Sequence, residues 1–352
     1  MTTHVVYTRS MSSLNVLYLC PLGQQHQHWR LRAAPAGLNV IMRRNPSKPE
    51  VLELIPHADV LISERSGVID RDIIAAGARL KLIQRIGSLA HDIDVQAAQA
   101  FGVPVATQPI VGTIAVAEHV VLQMLAVLRR VMPEQTILRQ PPERFIGGPP
   151  RRTTEDVFFF NWSGQTQVAL MYGKTVGILG FGEIGAELAR RLVGWQCRIL
   201  YNKRTPLPAH IEHSFHIAYC DADKLLSESD IVVCLLPYSS ETDQWLNVQR
   251  IALMKRGAIL IEAGSGSVVD ERAVATALEQ GHLSGAAFDT YEWEPIAPDN
   301  PLLQLIERDP NANVLLTPHI GSCNDISAGE FAQFYNNALR LLRGEPLQGL
   351  VT

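Results

Sequence analysis

The stretch TVGILGFGEIGAELARR, residues 175–191, constrains this chain more than any other. Thr175-Val176-Gly177-Ile178-Leu179 carries no charge, the pattern of a strand covered on both faces. Gly180-Phe181-Gly182-Glu183-Ile184-Gly185 follows at once, and Ile184, Leu188 and Leu192 then share one helical face. Strand, glycine turn and helix in immediate succession make a dinucleotide-binding unit. Gly180 permits the tight turn, Gly182 removes a side chain where a pyrophosphate would approach, and Gly185 lets the helix sit close to the strand. The turn residues Phe181, Glu183 and Ile184 complete a site whose free first-turn N–H groups face phosphate. The same glycines suit a merely structural turn. Their setting between strand and helix favours the dinucleotide.

The next apolar segment, residues 197–201, ends in Asn202-Lys203-Arg204. A site selective for NAD usually places Asp or Glu there, to accept from the ribose hydroxyls. Here two cations replace the carboxylate, and both charge and the guanidinium fork suit a 2′-phosphate. NADP(H) is therefore preferred as cofactor, NAD(H) is the alternative, and a basic surface loop is the plain reading.

At 352 residues the chain is long for one core, which predicts two domains. Apolar residues at 47% and charged residues at 19% suit a well-packed α/β protein. The net charge of −4 speaks against non-specific nucleic-acid binding. No uninterrupted apolar run reaches membrane-spanning length, and the first residues lack signal-peptide order, so no membrane role and a cytoplasmic location are expected. The five cysteines are scattered without metal-ligand spacing, so no metal is expected.

Strands are predicted at 14–19, 38–43, 59–62, 80–85 and 103–105, separated by short helical patterns at 49–55 and 70–76. This spacing implies a small parallel, flavodoxin-like sheet. Residues 114–130 read as a long apolar helix interrupted by Glu118 and His119. A breaker-rich tract follows, with Phe158-Phe159-Phe160 and Trp162 near its end. Contiguous aromatic residues need covering, so the tract at 133–165 is expected to make a homodimer contact, with burial in the same chain as its rival. Beyond the glycine turn, strands are predicted at 231–236, 258–261, 285–289 and 314–317, with helices at 241–254, 271–280 and 327–342. The expected fold class is thus α/β in two domains. Residues 14–113 plus 325–352 form a flavodoxin-like substrate domain, and 114–324 form a doubly wound Rossmann dinucleotide-binding domain.

With these landmarks the chain resembles the D-isomer-specific 2-hydroxyacid dehydrogenase family. The resemblance rests on GTIAVAEH at 112–119, GKTVGILGFGEIG at 173–185, Leu236-Pro237 with Glu241-Thr242, and MKRGAILIEAGSG at 254–266. It continues in Val269-Asp270-Glu271, Asp289, Glu294-Pro295 and Thr317-Pro318-His319-Ile320-Gly321-Ser322. It implies hydride transfer between a nicotinamide and a small carbonyl or hydroxyl substrate, a cleft between the two domains, and dimers formed through the nucleotide domain. His319 matches the acid/base histidine, whose ordinary pKa suits proton exchange near neutrality. Glu294 matches its supporting carboxylate. Asp289 matches the residue that bonds the nicotinamide amide, while Leu236, Pro237, Thr242, Ala263 and Gly264 fall on cofactor-binding positions.

One member of the family's catalytic set is absent. The family's Asn-x-Ala-Arg-Gly segment falls on Glu262-Ala263-Gly264-Ser265-Gly266, so Ser265 stands at the arginine position and Glu262 at the asparagine position. Serine offers a hydroxyl where arginine offers a charged fork. Losing such a partner of a carboxylate costs roughly 2–5 kcal/mol. Glu262 is expected to repel an acidic substrate if its side chain faces the cleft. In the first domain, the family's glycine-rich carboxylate-binding turn falls on residues 85–94. Ser88 and Leu89 are candidate substrate contacts there, and Arg85 or His91 is a candidate replacement cation. Two readings follow. One is an active oxidoreductase with altered substrate anchoring; the other is a catalytically weak or inactive dinucleotide-binding regulator or scaffold.

Overall fold

The computed structural model describes residues 13–141, 145–146, 148–325 and 329–351. They form two compact units, divided between Val111 and Gly112 and again between Cys323 and Asn324, the first unit holding both ends of the described chain. In the first unit five strands, β1 (Leu14–Cys20), β2 (Leu38–Arg44), β3 (Val60–Ser63), β4 (Leu82–Ile86) and β5 (Val105–Gln108), pair in parallel in the order β2-β1-β3-β4-β5. Alternation along β1 explains why both faces are covered. Leu17 and Leu19 enter one buried cluster, with Ile73, Ile83 and Ala97, while Leu14, Val16, Tyr18 and Cys20 enter the other. Phe334, Tyr335 and Ala338 close that second cluster, so burial ties the C-terminal segment to this unit.

The second unit carries seven parallel strands: β6 (Thr175–Leu179), β7 (Arg198–Asn202), β8 (Ile217–Tyr219), β9 (Ile231–Cys234), β10 (Ala258–Glu262), β11 (Leu283–Phe288) and β12 (Val314–Leu316). Their order is β12-β11-β10-β9-β6-β7-β8. The order reverses between β6 and β9, where Leu179 pairs with Cys234. Ligands of open parallel sheets bind outside the carboxyl ends of the strands at such a reversal.

Several local expectations are corrected. β8 is not anticipated from the sequence, because Ala218 and Tyr219 are exposed and the strand is only three residues long. The helix expected at 241–254 is confined to Val248–Leu253, since Leu246 bridges to Val269 and Asn247 caps the helix by accepting from the Arg250 amide. The terminal helix is two pieces, Glu330–Gln333 and Asn336–Arg343; its expected start at 327–328 lies outside the described residues. The fifth strand begins at Val105 rather than Val103.

The helix Val111–Leu128 is, by length and a mean hydropathy of 1.8, apolar enough to cross a membrane, contrary to the impression its two polar residues give. Ala117, Val120, Met124, Val127 and Leu128 are nonetheless buried, and the Asn313 amide reaches from the start of β12 to donate to the Val127 carbonyl at 3.0 Å. These are the marks of a core helix. In the tract at 133–165, residues 142–144 and 147 lie outside the described residues. Among the described residues, Phe158 and Phe160 are left 67% and 84% exposed.

Candidate active site

The sequence candidates of the second unit follow directly on strand ends. Gly180 to Gly185 come after β6, Asn202 to Arg204 close β7, Leu236 and Pro237 come after β9, and Ala263 to Ser265 after β10. Asp289 follows β11, and Thr317 and His319 follow β12. A parallel sheet has all its carboxyl ends on one edge, so residues far apart in sequence gather there.

The glycine turn divides its tasks among its residues. Gly180 has φ +87°, and a side chain there would lie 2.6 Å from the Leu235 carbonyl. Gly182 has nothing within 4 Å of the position a side chain would take, so open space lies where a phosphate would approach. It caps the helix Glu183–Leu192, whose first-turn amides at Ile184 and Gly185 have no intrahelical carbonyl to bond. The turn therefore fits a dinucleotide. At Gly185 a side chain would lie 3.2 Å from the Phe181 ring and 3.5 Å from the Gly180 carbonyl at the strand end. Phe181 itself is a core residue beside Tyr201, and its amide donates to the Asn202 carbonyl, so it anchors the turn instead of offering an N–H to phosphate.

At the end of β7 the Asn202 side chain donates to the Cys220 carbonyl at 2.9 Å, while Arg204 is exposed. The loop after β9 is tied by Thr242, whose hydroxyl donates to the Pro237 carbonyl at 2.8 Å and accepts from the Ser239 amide at 2.7 Å. Gly264 passes so close to this loop that a side chain would lie 2.8 Å from the Leu236 carbonyl. The Ala263 amide donates to the Cys234 carbonyl, which ties the ends of β9 and β10 together.

Ser265 accepts from the Tyr238 amide at 3.2 Å. Its hydroxyl thus joins the strand-end loops to each other. Glu262 is fully buried and does not face outward. One carboxyl oxygen accepts from the Gly264 amide at 2.7 Å and the Thr290 hydroxyl at 3.1 Å, and the Cys234 thiol lies beside it. Burial pushes its pKa up to about 8 against those hydrogen bonds, so it is predominantly neutral at pH 7. The expected repulsion of an acidic substrate is therefore corrected, because a buried and protonated carboxyl carries no charge to repel with.

His319 and Glu294 are brought together. Nδ1 of His319 lies 2.7 Å from Oε2 of Glu294, and the other Glu294 oxygen accepts from the Tyr291 amide at 3.1 Å. Both side chains are partly open to solvent. His319 has φ +52°, a left-handed conformation that costs a non-glycine residue about 1–2 kcal/mol and must be held by its surroundings. Asp289 supplies the hold: its carboxylate accepts from the amides of Ile320 at 3.0 Å and Gly321 at 2.7 Å, the two residues after His319. Gly321 must be glycine, since a side chain would lie 2.7 Å from the Asp289 carboxylate.

Asp289 is buried, which by itself raises a carboxyl pKa. Bonds from His119, Thr317, Gly321 and Ile320 outweigh burial and hold it ionised, well below the usual carboxylate range. Nε2 of His119 lies 3.0 Å from the Thr317 hydroxyl and 3.4 Å from Asp289. His119 is the residue whose role the sequence did not disclose. Its signal was a lone imidazole in an otherwise apolar helix.

In the first unit, Ser88 and Leu89 are buried. Arg85 is fully buried as well: its Nε donates to Asp92 at 3.1 Å and its Nη1 to the carbonyls of Ser63 and Ile86. A guanidinium engaged in this way braces the turn from within, which speaks against Arg85 as a replacement cation. His91 is half-buried.

The sequence and fold have close counterparts. Residues 151–321 match the model of the D-isomer specific 2-hydroxyacid dehydrogenase NAD binding domain. A glyoxylate reductase of Korarchaeum cryptofilum is 32% identical over 307 residues, 87% of this chain and 86% of its own length. A glyoxylate/hydroxypyruvate reductase B of Yersinia pestis is 35% identical over 277 residues, 78% of each chain. Among solved structures, a protein of Pyrococcus horikoshii aligns with a TM-score of 0.54 at 28% identity, covering 96% of this chain and 95% of its own. A glyoxylate reductase of Paecilomyes thermophila aligns with a TM-score of 0.51 at 26% identity, covering 97% and 99%.

Proposed function

The chain belongs to the D-isomer-specific 2-hydroxyacid dehydrogenase family, and on that premise we propose that it reduces a small carbonyl compound with His319 as the proton donor and without a guanidinium anchor at position 265. It is an NAD(P)H-dependent oxidoreductase, and the non-catalytic scaffold reading is not favoured. The observation that carries the proposal is the His319–Glu294 pair, held at the sheet edge where the glycine turn opens.

When bound, the nicotinamide supplies the hydride. The chain's own residues do the rest. The turn at 180–185 and the helix behind it hold the pyrophosphate, and Asp289 has the ionised oxygens to accept from the carboxamide. His319 delivers a proton to the oxygen of the carbonyl as that oxygen gains charge. Glu294 steadies the imidazolium beforehand and fixes which ring nitrogen faces the substrate. Ser88 and Leu89 are the proposed substrate contacts of the first unit.

The absent guanidinium separates this chain from a 2-oxo-acid specialist, because a hydroxyl already bonded to the Tyr238 amide cannot offer a fork to a carboxylate. Lys203 and Arg204 at the end of β7 favour NADP(H) over NAD(H). The exposed aromatic tract supports a homodimer, and a cytoplasmic location accords with a nicotinamide-dependent enzyme of this kind.

The test is turnover of matched 2-oxo acids, ketones and aldehydes with NADPH and NADH. Reduction of uncharged carbonyls at a rate above that of glyoxylate is the expected result. Tight cofactor binding with no turnover of any carbonyl overturns the catalytic reading.

A further inference from the structure

A cavity of about 480 Å³ lies within the second unit and is lined in part by the catalytic pair. Its volume falls in the range of roughly 300–1,000 Å³ typical of small-molecule sites. Glu294 and His319 form part of its wall, and Pro295, Ile296, Leu303 and Leu316 supply most of the remainder.

The polar groups of that wall are already engaged. The Tyr291 hydroxyl donates to the Thr317 carbonyl at 2.9 Å, and the Thr317 hydroxyl donates to Asp289 at 2.6 Å. Glu294 is shared between His319 and the Tyr291 amide. No lysine or arginine lines the space among the described residues. An anionic substituent placed there would meet the Glu294 carboxylate and no cation of the lining. An apolar substituent would gain from burial instead.

We propose that this cavity is the specificity subsite for the substrate's substituent, and that the preferred substrates are carbonyl compounds bearing an uncharged hydrocarbon chain or ring. The inference rests on the function proposed above and names the substrate class for the same site. His319 is itself a wall of the cavity, so a substituent on a carbonyl held by that imidazole has the cavity next to it. The chemistry balances as NAD(P)H, a proton and a ketone or aldehyde giving NAD(P)+ and the alcohol. The C4–H bond of the nicotinamide breaks, a C–H bond forms at the carbonyl carbon, and the His319 proton goes to oxygen.

The experiment is a kcat/KM series on the full-length enzyme with NADPH, using straight-chain methyl ketones from propanone to 2-octanone. Glyoxylate and the 2-oxo acids of equal length are run beside them, and cofactor affinity is followed separately by fluorescence. Each methylene that enters the cavity should raise kcat/KM about three- to fourfold, from ~0.8 kcal/mol per buried CH₂. The rise should stop when the cavity is full. Leu303→Gln should flatten the series, and the volume-conserving Leu303→Met should preserve it, which separates a lost apolar wall from a damaged fold.

A series that is flat or falls with length overturns the proposal while leaving the reductase reading intact. A preference for glyoxylate over every longer carbonyl does the same. Bound NADPH without reduction of any carbonyl overturns both readings.

Discussion

The proposal that position 265 lacks the family's guanidinium can be tested at that one residue. The serine there bonds a neighbouring loop amide, and Glu262, at the family's asparagine position, is buried. Ser265→Arg should raise kcat/KM for glyoxylate at least tenfold, since a recovered guanidinium–carboxylate contact is worth about 2–5 kcal/mol. Steady-state kinetics with glyoxylate and an uncharged ketone of similar size check this, and an unchanged ratio between the two counts against the placement of Ser265. Glu262 gives a stability prediction with a definite sign. Its folded pKa, about 8, is above the ordinary value near 4.5. Between those values the unfolded chain has released the proton and the folded chain still holds it. Stability therefore falls as pH rises from about 4.5 to 8 and then levels off. Glu262→Gln keeps an acceptor for the Gly264 amide and the Thr290 hydroxyl and removes the titration. It should stabilise the protein at pH 8 relative to pH 5, by a few kcal/mol at most at ~1.4 kcal/mol per pKa unit. Urea denaturation of both proteins at the two pH values measures it, and parallel pH dependence would remove Glu262 as the source.

At the scale of elements, the strand–turn–helix of β6 separates residues needed for the fold from residues needed for the ligand. Gly182 sits at an ordinary φ of −105° with open space around it. Gly182→Ala should therefore cost less stability than a substitution at Gly180 while weakening NADPH binding tenfold or more, because a Cβ there meets no protein atom and enters the space a phosphate needs. Gly180→Ala should instead destabilise, with φ +87° and the Leu235 carbonyl both opposing it. Calorimetry and cofactor titration of the two variants should give opposite patterns. The end of β7 makes a second separation: Arg204→Ala should weaken NADPH more than NADH, and equal loss of both would end the 2′-phosphate reading. The helix Val111–Leu128 shows what an isolated segment hides. Its hydropathy alone permits a membrane span, yet its His119 reaches Asp289 and Thr317, contacts that only the folded sheet edge provides.

For the whole molecule, the run at Phe158 to Phe160 is exposed, and Ile146 is 75% exposed as well. A homodimer covering it is expected, and Phe158→Ser with Phe160→Ser should shift sedimentation toward the monomer at micromolar concentration. Wild-type protein that sediments as a monomer at the same concentration would exclude this role for the tract. Much of the architecture was legible from local pattern. Uninterrupted apolar runs marked β6, β9 and β10, and the glycine turn marked the ligand end of the sheet, because backbone geometry and two-faced burial act within a few residues. The short β8 and the split terminal helix were not legible, since exposed edge residues and a break at Phe334-Tyr335 carry little periodic signal. The chain by itself determined the two α/β units and the nicotinamide dinucleotide turn, both of which are matters of residue identity and spacing. Only the tertiary structure decided that Glu262 is buried and neutral, that Arg85 is engaged within its own turn, and that His119 steadies the carboxylate holding the His319 loop. Burial and pairing across long sequence separations set charge state and availability, and neither is a property of a residue's neighbours in the chain.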